Sequence, residues 1–261
     1  MEVVPCPSVD ALAALAADAV EALVRARPDA VLGLATGSSP LPVYRELVAR
    51  HRAGAGPSYD AVSAFTLDEY VGLPLGHPES YRATIARELT DDLGLPPERV
   101  HGPDPAPDAL PTAGERYERA LQQAGGVDLQ VLGIGTDGHL AFNEPGSSLA
   151  SLTRIKTLTE QTRQDNARFF DSPDEVPRHV LTQGLGTILR ARHLLLVALG
   201  PAKADAVAAA LEGPLSASCP ASVLQLHPHV TVLLDPGAAG GLARAEHHRA
   251  VFEAKPAWQG L

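Results

Sequence analysis

One loop of the sequence places three acid/base side chains within eight residues. Asp137, His139 and Glu144 lie in a glycine-containing loop directly after the apolar run 129–134, which is typical of a buried strand. Carboxylates beside an imidazole can hold it in one tautomer and prepare it for proton transfer. The loop is therefore a candidate for acid/base catalysis, and the alternative is a polar turn with an incidental histidine.

A further candidate carboxylate follows another apolar run, 62–67. Asp68 stands just past the end of this predicted strand, from where its side chain can face a crevice as a general base. Glu69 then points to the opposite face, because successive side chains alternate along extended backbone. The alternative is a solvated turn with two adjacent acids.

Three parts of the chain are candidates for binding a phosphate group. Ser38 and Ser39 lie in a turn before the predicted helix 41–48, where backbone N–H groups and the helix dipole favour an anion. Lys203 follows the apolar run 194–199 at the start of another predicted helix. Four cations follow the acid/base loop and can donate charge-assisted hydrogen bonds: Arg154, Lys156, Arg163 and Arg168. Ordinary turns and solvated surface cations are the alternatives.

The stretch 133–138 also satisfies the dinucleotide-binding pattern G-x-G-x-x-G after a strand. Its surroundings argue against a dinucleotide site. Pro145 interrupts the helix that should begin there, and Asp137 would set negative charge against the pyrophosphate. We expect no nicotinamide cofactor.

Composition narrows the classes of function. The chain has 261 residues, 45% of them apolar, and a formal net charge of -10, which disfavours binding to nucleic acid. The longest apolar run, 194–199, is too short to span a bilayer, and residues 1–5 lack the pattern of a signal peptide, so we expect a cytoplasmic protein without membrane contact. Cys6 and Cys219 form neither a disulfide framework nor a metal-ligand spacing, and we expect no metal.

Short apolar runs alternate with amphipathic stretches along the whole chain. This pattern predicts a single α/β domain over residues 1–261, with a mostly parallel, doubly wound sheet and helices on both faces. Ser8 is expected to cap the first helix. The predicted strands are 30–34, 62–67, 129–134, 194–199 and 230–234. In such sheets ligands bind beyond the carboxyl ends of the strands, so the candidate residues should converge on one crevice.

Several motifs occur together in a fixed order over nearly the whole chain. They are residues 34–40, 67–73, 77–81, 135–139, 142–151, 153–159 and 224–228. In this order they resemble the glucosamine-6-phosphate deaminase family. Two departures are Ala35, where relatives often have proline, and Leu152, where many have arginine.

The resemblance implies conversion of D-glucosamine 6-phosphate and water to D-fructose 6-phosphate and ammonia, without a metal or an organic cofactor. It implies an enzyme of the hydrolase class acting on a cyclic amidine-like C–N bond of an amino sugar. It also implies a modified doubly wound, Rossmann-like sheet and a homo-oligomer such as a hexamer, with the segment 240–261 at a subunit interface.

The resemblance also implies roles for individual residues. Asp68 is the base that moves a proton between C2 and C1, and His139, tuned by Asp137 and Glu144, opens the sugar ring. The residues that hold the substrate phosphate are Ser38, Ser39, Arg168 and Lys203. The residues of an allosteric phosphate site are Ser147, Arg154 and Lys156. Relatives with strong activation carry a tyrosine near the C-terminus, which the stretch 247–252 lacks, so we expect weak or altered activation.

Two other functions remain compatible with the residues. One is a different sugar-phosphate enzyme of the same fold, such as a lactonase acting on 6-phosphogluconate, which would need no C2 base such as Asp68. The other is a non-catalytic sugar-phosphate sensor, which should carry a DNA-binding segment and a basic patch. The acidic chain, whose first predicted core helix begins near Ser8, does not favour the sensor.

Overall fold

The computed structural model describes residues 1–74, 76–170, 172–256 and 258–261, without the side chains of four residues in the segment 161–173. The side chains left out are Gln161, Asp165, Arg168 and Pro173. Arg168, one of the predicted phosphate-binding residues, therefore has its side chain outside the described part of the structure.

Ten strands and eight α-helices make up the described regular structure, with short 3-10 and π turns between them. The strands are β1 (Glu2–Pro5), β2 (Val31–Leu34), β3 (Ser63–Thr66), β4 (Asp68–Val71), β5 (Val100–His101), β6 (Leu129–Leu132), β7 (Arg154–Thr157), β8 (His179–Thr182), β9 (His193–Ala198) and β10 (Val230–Leu234). The helices are α1 (Val9–Ala26), α2 (Leu41–Arg52), α3 (Tyr81–Ile85), α4 (Leu110–Gln123), α5 (Glu160–Asn166), α6 (Leu185–Ile188), α7 (Ala204–Leu211) and α8 (Ala245–Glu253).

The centre of the fold is a seven-stranded parallel sheet. Its strand order is β1-β10-β9-β6-β2-β3-β5. The inner strands are buried along their whole length because helices cover both faces. The predicted α/β class and mostly parallel sheet are confirmed, and each of the five predicted strands is present within two residues at either end.

Alternating residues of β9 show how the two faces are packed. Leu195 and Val197 lie in a hydrophobic cluster with α1 and α2, whereas Leu194 and Leu196 lie in a second cluster with α4, α6 and α7. Ser8 caps α1 as predicted, since its Oγ accepts a hydrogen bond of 3.1 Å from Ala11 N.

No helix of the described residues is long and apolar enough to cross a membrane.

A second, antiparallel sheet of three strands lies beside the first, in the order β4-β8-β7. Its register places Asp68 and Arg154 opposite the same residue, Thr182 of β8. The chain passes from the large sheet to the small one at Leu67, the single residue between β3 and β4. Asp68 therefore begins a strand of the small sheet rather than ending in a loop.

Candidate active site

Four adjacent strands of the large sheet lead into the segments that carry most of the predicted site residues. In sheet order these strands are β9, β6, β2 and β3, which are followed by Lys203, the loop 135–145, Ser38 with Ser39, and Asp68. The carboxyl ends of parallel strands share one edge, so the structure gathers these residues there as the sequence predicted. Two of the loops come close, because a β-carbon added at Gly133 would lie 3.9 Å from Cβ of Ser39.

Backbone hydrogen bonds fix the junction that carries Asp68. Leu67 N donates to Leu34 O of β2 over 3.1 Å, and Leu67 O accepts from Gln183 N over 2.8 Å. The carbonyl of Thr66 accepts hydrogen bonds from the hydroxyl of Tyr117 and from Nε2 of Gln183. The residues on either side of this junction are thus held by both sheets and by α4.

The carboxyl group of Asp68 lies in a buried site and is only 6% exposed. Burial, together with the negative charge of Glu69, raises the pKa of Asp68 well above its ordinary value of 3.8. A carboxylate that binds a proton more strongly than usual is a better general base near neutral pH. The environment of Asp68 is therefore suited to proton abstraction.

Glu69 faces away from Asp68, as the alternation along the strand predicted. Its Oε1 accepts hydrogen bonds of 2.9 Å from the backbone N–H groups of Tyr70 and Tyr81, and its Oε2 accepts one of 3.0 Å from Arg82 N. Both carboxylate oxygens are thus engaged at the start of α3. Of the two adjacent acids, Glu69 therefore has a structural attachment of its own to the start of α3.

Asp137 orients the imidazole of His139. Its Oδ1 lies 2.7 Å from Nδ1 of His139 and accepts a hydrogen bond of 3.1 Å from the backbone N of the same residue. Burial would raise the pKa of Asp137, but hydrogen bonding to His139 and the charge of His139 outweigh it and hold the pKa below 3.8. An ionised partner at Nδ1 favours the tautomer with its proton there, which leaves Nε2 as a proton acceptor.

Gly135 makes room for that imidazole. A β-carbon at this position would lie 2.3 Å from ring atoms of His139, closer than any side chain allows. The histidine ring therefore packs on the glycine backbone, and the spacing of the two residues in the sequence has a steric reason.

Hydrogen bonds from neighbouring segments hold the remainder of the loop. Nδ2 of Asn143 donates to Leu140 O over 3.0 Å and to Gln183 O over 2.8 Å. Phe142 N donates to Oγ1 of Thr182 over 3.2 Å, which links the loop to the small sheet. The sequence analysis did not identify Asn143 or Thr182 as site residues, because these contacts join segments 40 residues apart, which no local pattern signals.

Glu144, the third acid/base residue of the loop, is buried and turned toward the start of α5. Its Oε1 accepts hydrogen bonds from Thr159 N over 3.3 Å, from Thr159 Oγ1 over 2.9 Å, and from the hydroxyl of Thr162. The carboxylate thus ties the loop to α5, and its tuning of His139 stays a prediction.

The predicted phosphate-binding residues lie at two helix starts. Ser38 is exposed and Ser39 buried in the turn before α2, where Gly37 adopts the left-handed φ of 110°. Lys203 precedes α7 directly, in a turn held because Asp235 Oδ1 accepts a 2.9 Å hydrogen bond from Gly200 N. Both turns follow strands of the large sheet and lead into helices, and helix starts of this kind are suited to binding a phosphate.

The three predicted allosteric residues lie on or near the small sheet. Arg154 and Lys156 project on the same side of β7, and the η1 nitrogen of Arg154 donates a hydrogen bond of 3.2 Å to Leu152 O. The Oγ of Ser147 is buried without a hydrogen-bond partner in the described part of the chain. No group of three or more His, Cys, Asp or Glu side chains among the described residues is placed to hold a metal ion.

Comparison with known proteins shows which family the chain resembles. Residues 7–233 match the family model described as glucosamine-6-phosphate isomerases/6-phosphogluconolactonase. A glucosamine-6-phosphate deaminase of Arthrobacter sp. (strain FB24) is 62% identical over 261 residues, covering 100% of both chains. The deaminase of Mycolicibacterium smegmatis is 59% identical over 262 residues, again covering 100% of both.

Solved structures show the same relationship. A structure described as a monomeric glucosamine-6-phosphate deaminase matches with a TM-score of 0.89 and 42% identity, over 92% of this chain and 100% of that one. The 6-phosphogluconolactonase of Trypanosoma brucei matches with a TM-score of 0.74 at 21% identity, over 93% of this chain and 98% of that one. The second similarity is one of fold.

Proposed function

The chain belongs to the family of glucosamine-6-phosphate isomerases and 6-phosphogluconolactonases, and on this premise we propose that it converts D-glucosamine 6-phosphate and water to D-fructose 6-phosphate and ammonia. Relatives at 59–62% identity over full length are named glucosamine-6-phosphate deaminase, whereas the lactonase compared above shares only the fold. The identities therefore favour the deaminase over the lactonase.

The expected enzyme class needs a correction. A hydrolase acting on a cyclic amidine-like C–N bond was the expectation, but the matching family model describes its glucosamine-6-phosphate enzymes as isomerases. The substrate carries an amine on a saturated carbon, and the reaction changes an aldose into a ketose. The chemistry is thus an isomerisation that is followed by loss of ammonia.

In the first step of the proposed mechanism, His139 opens the pyranose ring. The closed ring has no carbonyl group to acidify the hydrogen on C2, so opening has to precede abstraction of that proton. With Asp137 at Nδ1, the Nε2 atom of His139 takes the proton from O1 and returns it to O5 as the C1–O5 bond breaks. The product is the open-chain aldehyde.

In the second step Asp68 takes the proton from C2 and the electron pair forms a C1–C2 double bond, while the ammonium group of the substrate supplies the proton that the aldehyde oxygen accepts. Asp68 then returns its proton to C1, and the lone pair of the nitrogen forms a C=N bond, which leaves a protonated imine at C2. Water adds to this imine, the C–N bond breaks, and ammonia leaves with D-fructose 6-phosphate as the other product. The elevated pKa of Asp68 supports its role, because the same carboxyl has to accept a proton and then donate it.

We assign the substrate phosphate to the helix starts at Ser38, Ser39 and Lys203, with Arg168 as a further donor. A dianion bound remotely from C1 and C2 supplies binding energy that orients the reacting end of the sugar. We assign to Glu144, which Thr159 attaches to the start of α5, a role in tuning His139 within the loop that carries both residues.

The observation that carries this proposal is the pairing of a buried base at Asp68 with a separate Asp137 and His139 pair at one edge of the sheet. The test is to incubate the purified protein with D-glucosamine 6-phosphate and to measure ammonia and D-fructose 6-phosphate in equal amounts. Hydrolysis of 6-phosphogluconolactone without ammonia release from the amino sugar would support the lactonase. Binding of either sugar without turnover would support the sensor.

We also propose that Ser147, Arg154 and Lys156 bind the phosphate of N-acetylglucosamine 6-phosphate as an effector. The Oγ of Ser147, which has no hydrogen-bond partner among the described residues, and the two cations on one side of β7 support an anion site. Since the stretch 247–252 carries no tyrosine, activation should be weak or altered. Saturation curves with and without the effector test this, and a strongly sigmoidal curve made hyperbolic by the effector would contradict it.

The oligomeric state is a separate proposal. We propose a homo-oligomer such as a hexamer, with the segment 240–261 at a subunit interface. Val251 on α8 and Ile155 on β7 are exposed apolar side chains that another copy would cover. Light scattering coupled to size-exclusion chromatography decides this, and a monomer, as described for the 42% identical relative, would contradict it.

The proposed substrate also predicts the cellular compartment in which the protein acts. A sugar phosphate is a dianion that does not cross a bilayer unaided, which supports a cytoplasmic enzyme. Fractionation of cells that express the protein, with activity measured in each fraction, tests this. Activity confined to an extracytoplasmic fraction would contradict it.

A further inference from the structure

Glu69 is a buried carboxylate beside the proposed base, and the mechanism above does not use it. It is only 5% exposed, and its three hydrogen bonds come from backbone N–H groups of Tyr70, Tyr81 and Arg82. A helix start can be capped by serine alone, as Ser80 already does here through a 3.2 Å hydrogen bond from Ala83 N. Because Ser80 already caps the start of α3, capping alone does not account for the buried charge of Glu69 at the same helix start.

We propose that Glu69 is a positioning residue for the reaction: it anchors β4 to the start of α3 and holds a fixed negative charge next to Asp68. The inference depends on the proposed role of Asp68 as the base. It adds a residue that touches no substrate and acts through that base.

The pattern of donors favours the ionised form of Glu69. Burial raises the pKa of Glu69 above its ordinary value, and the hydrogen bonds from the N–H groups of Arg82, Tyr81 and Tyr70 limit this rise. Oε1 accepts two of these hydrogen bonds and Oε2 accepts one, so a proton on either oxygen would weaken a bond that the carboxylate makes. The positive charge of Arg82 favours the ionised form as well.

The charged and titratable groups around Asp68 come from three elements. Glu69 and Tyr70 are on its own strand β4, Tyr81 is on α3, and Tyr117 is on α4. Burial raises the pKa of each of the three phenols, so they are neutral at physiological pH. Among these groups, the charge that acts on Asp68 is that of Glu69.

A negative charge next to a buried carboxyl makes that carboxyl hold its proton more tightly. If Glu69 is neutralised, Asp68 becomes a weaker base that ionises at lower pH. At a protein-like dielectric constant, a unit charge on one face of a strand shifts the pKa of a group on the other face by about one unit.

The experiment compares pH profiles of kcat/KM for ammonia release by the wild type and by Glu69→Gln. We expect the acid limb of the variant to move down by about one pH unit. Ionisations of the substrate are common to both enzymes, so the difference between the two profiles reports on the protein. Glu69→Asp, which keeps the charge, should restore the wild-type limb.

Ser80→Ala is the matched control for the anchoring of α3. It removes the other side-chain attachment of the same helix start without a change in charge. Its thermal midpoint should fall, whereas its acid limb should stay in place. An unmoved limb in Glu69→Gln, or an equal shift in Ser80→Ala, would overturn the inference. A wild type that releases no ammonia would instead refute the proposed function.

Discussion

Replacement of Asp68 by asparagine is expected to abolish turnover and to stabilise the folded protein. Asparagine keeps the size of the side chain but cannot accept the C2 proton, and loss of a general base costs about 10²–10⁴-fold in rate. The gain in stability follows from the site, in which a carboxyl only 6% exposed lies beside Glu69. The two effects should be separable in one variant.

The stabilisation should depend on pH in a defined direction. Folding raises the pKa of Asp68, so between pH 3.8 and the folded-state pKa the unfolded chain has already lost the proton that the folded chain keeps. The free energy of unfolding of the wild type therefore falls as the pH rises through this window and stays lower above it. Each unit by which folding raises the pKa of Asp68 lowers the free energy of unfolding at neutral pH by about 1.4 kcal/mol.

Thermal denaturation of both proteins across the pH range measures this term. For a chain of this size, 1 kcal/mol moves the midpoint by about 2–4 °C. The variant should be more stable at neutral pH, and the difference should disappear near pH 4. Asp60→Asn, an exposed acid, should change neither rate nor midpoint. A variant that keeps most of its kcat, or a pH-independent difference in midpoint, would refute the reasoning.

Three further substitutions test the other parts of the site. His139→Gln should abolish turnover of the cyclic sugar but leave C2 hydrogen exchange of an open-chain analogue, and equal loss with both would contradict the role in ring opening. Lys203→Ala should raise KM for the phosphorylated sugar by about 10–100-fold and hardly affect unphosphorylated glucosamine, with Lys255→Ala, whose ammonium pairs with Glu2, as the control. Gly135→Ala should lower kcat, because the new methyl group would lie 2.3 Å from the ring of His139 and has to displace that ring. A fully active variant would show that the position of the ring is unimportant.

Five of the seven strands of the large sheet were predictable because they lie in largely apolar runs bounded by turn residues, whereas the edge strands β1 and β5, of four and two residues, were not predicted. The run 194–199, for example, corresponds to β9, with a boundary shift of one residue. The same reasoning placed the candidate residues at one edge, since parallel strands end together.

The small sheet was not predictable in this way. Its strands have four residues each, and β7 alternates between half-buried and exposed side chains instead of forming an apolar run. The position of Asp68 at the start of β4 was therefore missed. The hydrogen bonds that Tyr117 and Gln183 donate to Thr66 O also join residues far apart in the sequence, and no local pattern signals them.

The register of the small sheet makes Thr182 a common contact of Asp68, Arg154 and the loop that carries His139. Its backbone lies in one row with Asp68 on one neighbouring strand and Arg154 on the other, while its Oγ1 holds the backbone of Phe142 in the histidine loop. Adjacent strands are about 4.8 Å apart, so a pull on Arg154 reaches the base across two strand spacings of peptide hydrogen bonds. A displacement of the outer strand β7 would therefore be transmitted to Asp68 through the backbone of β8 at Thr182.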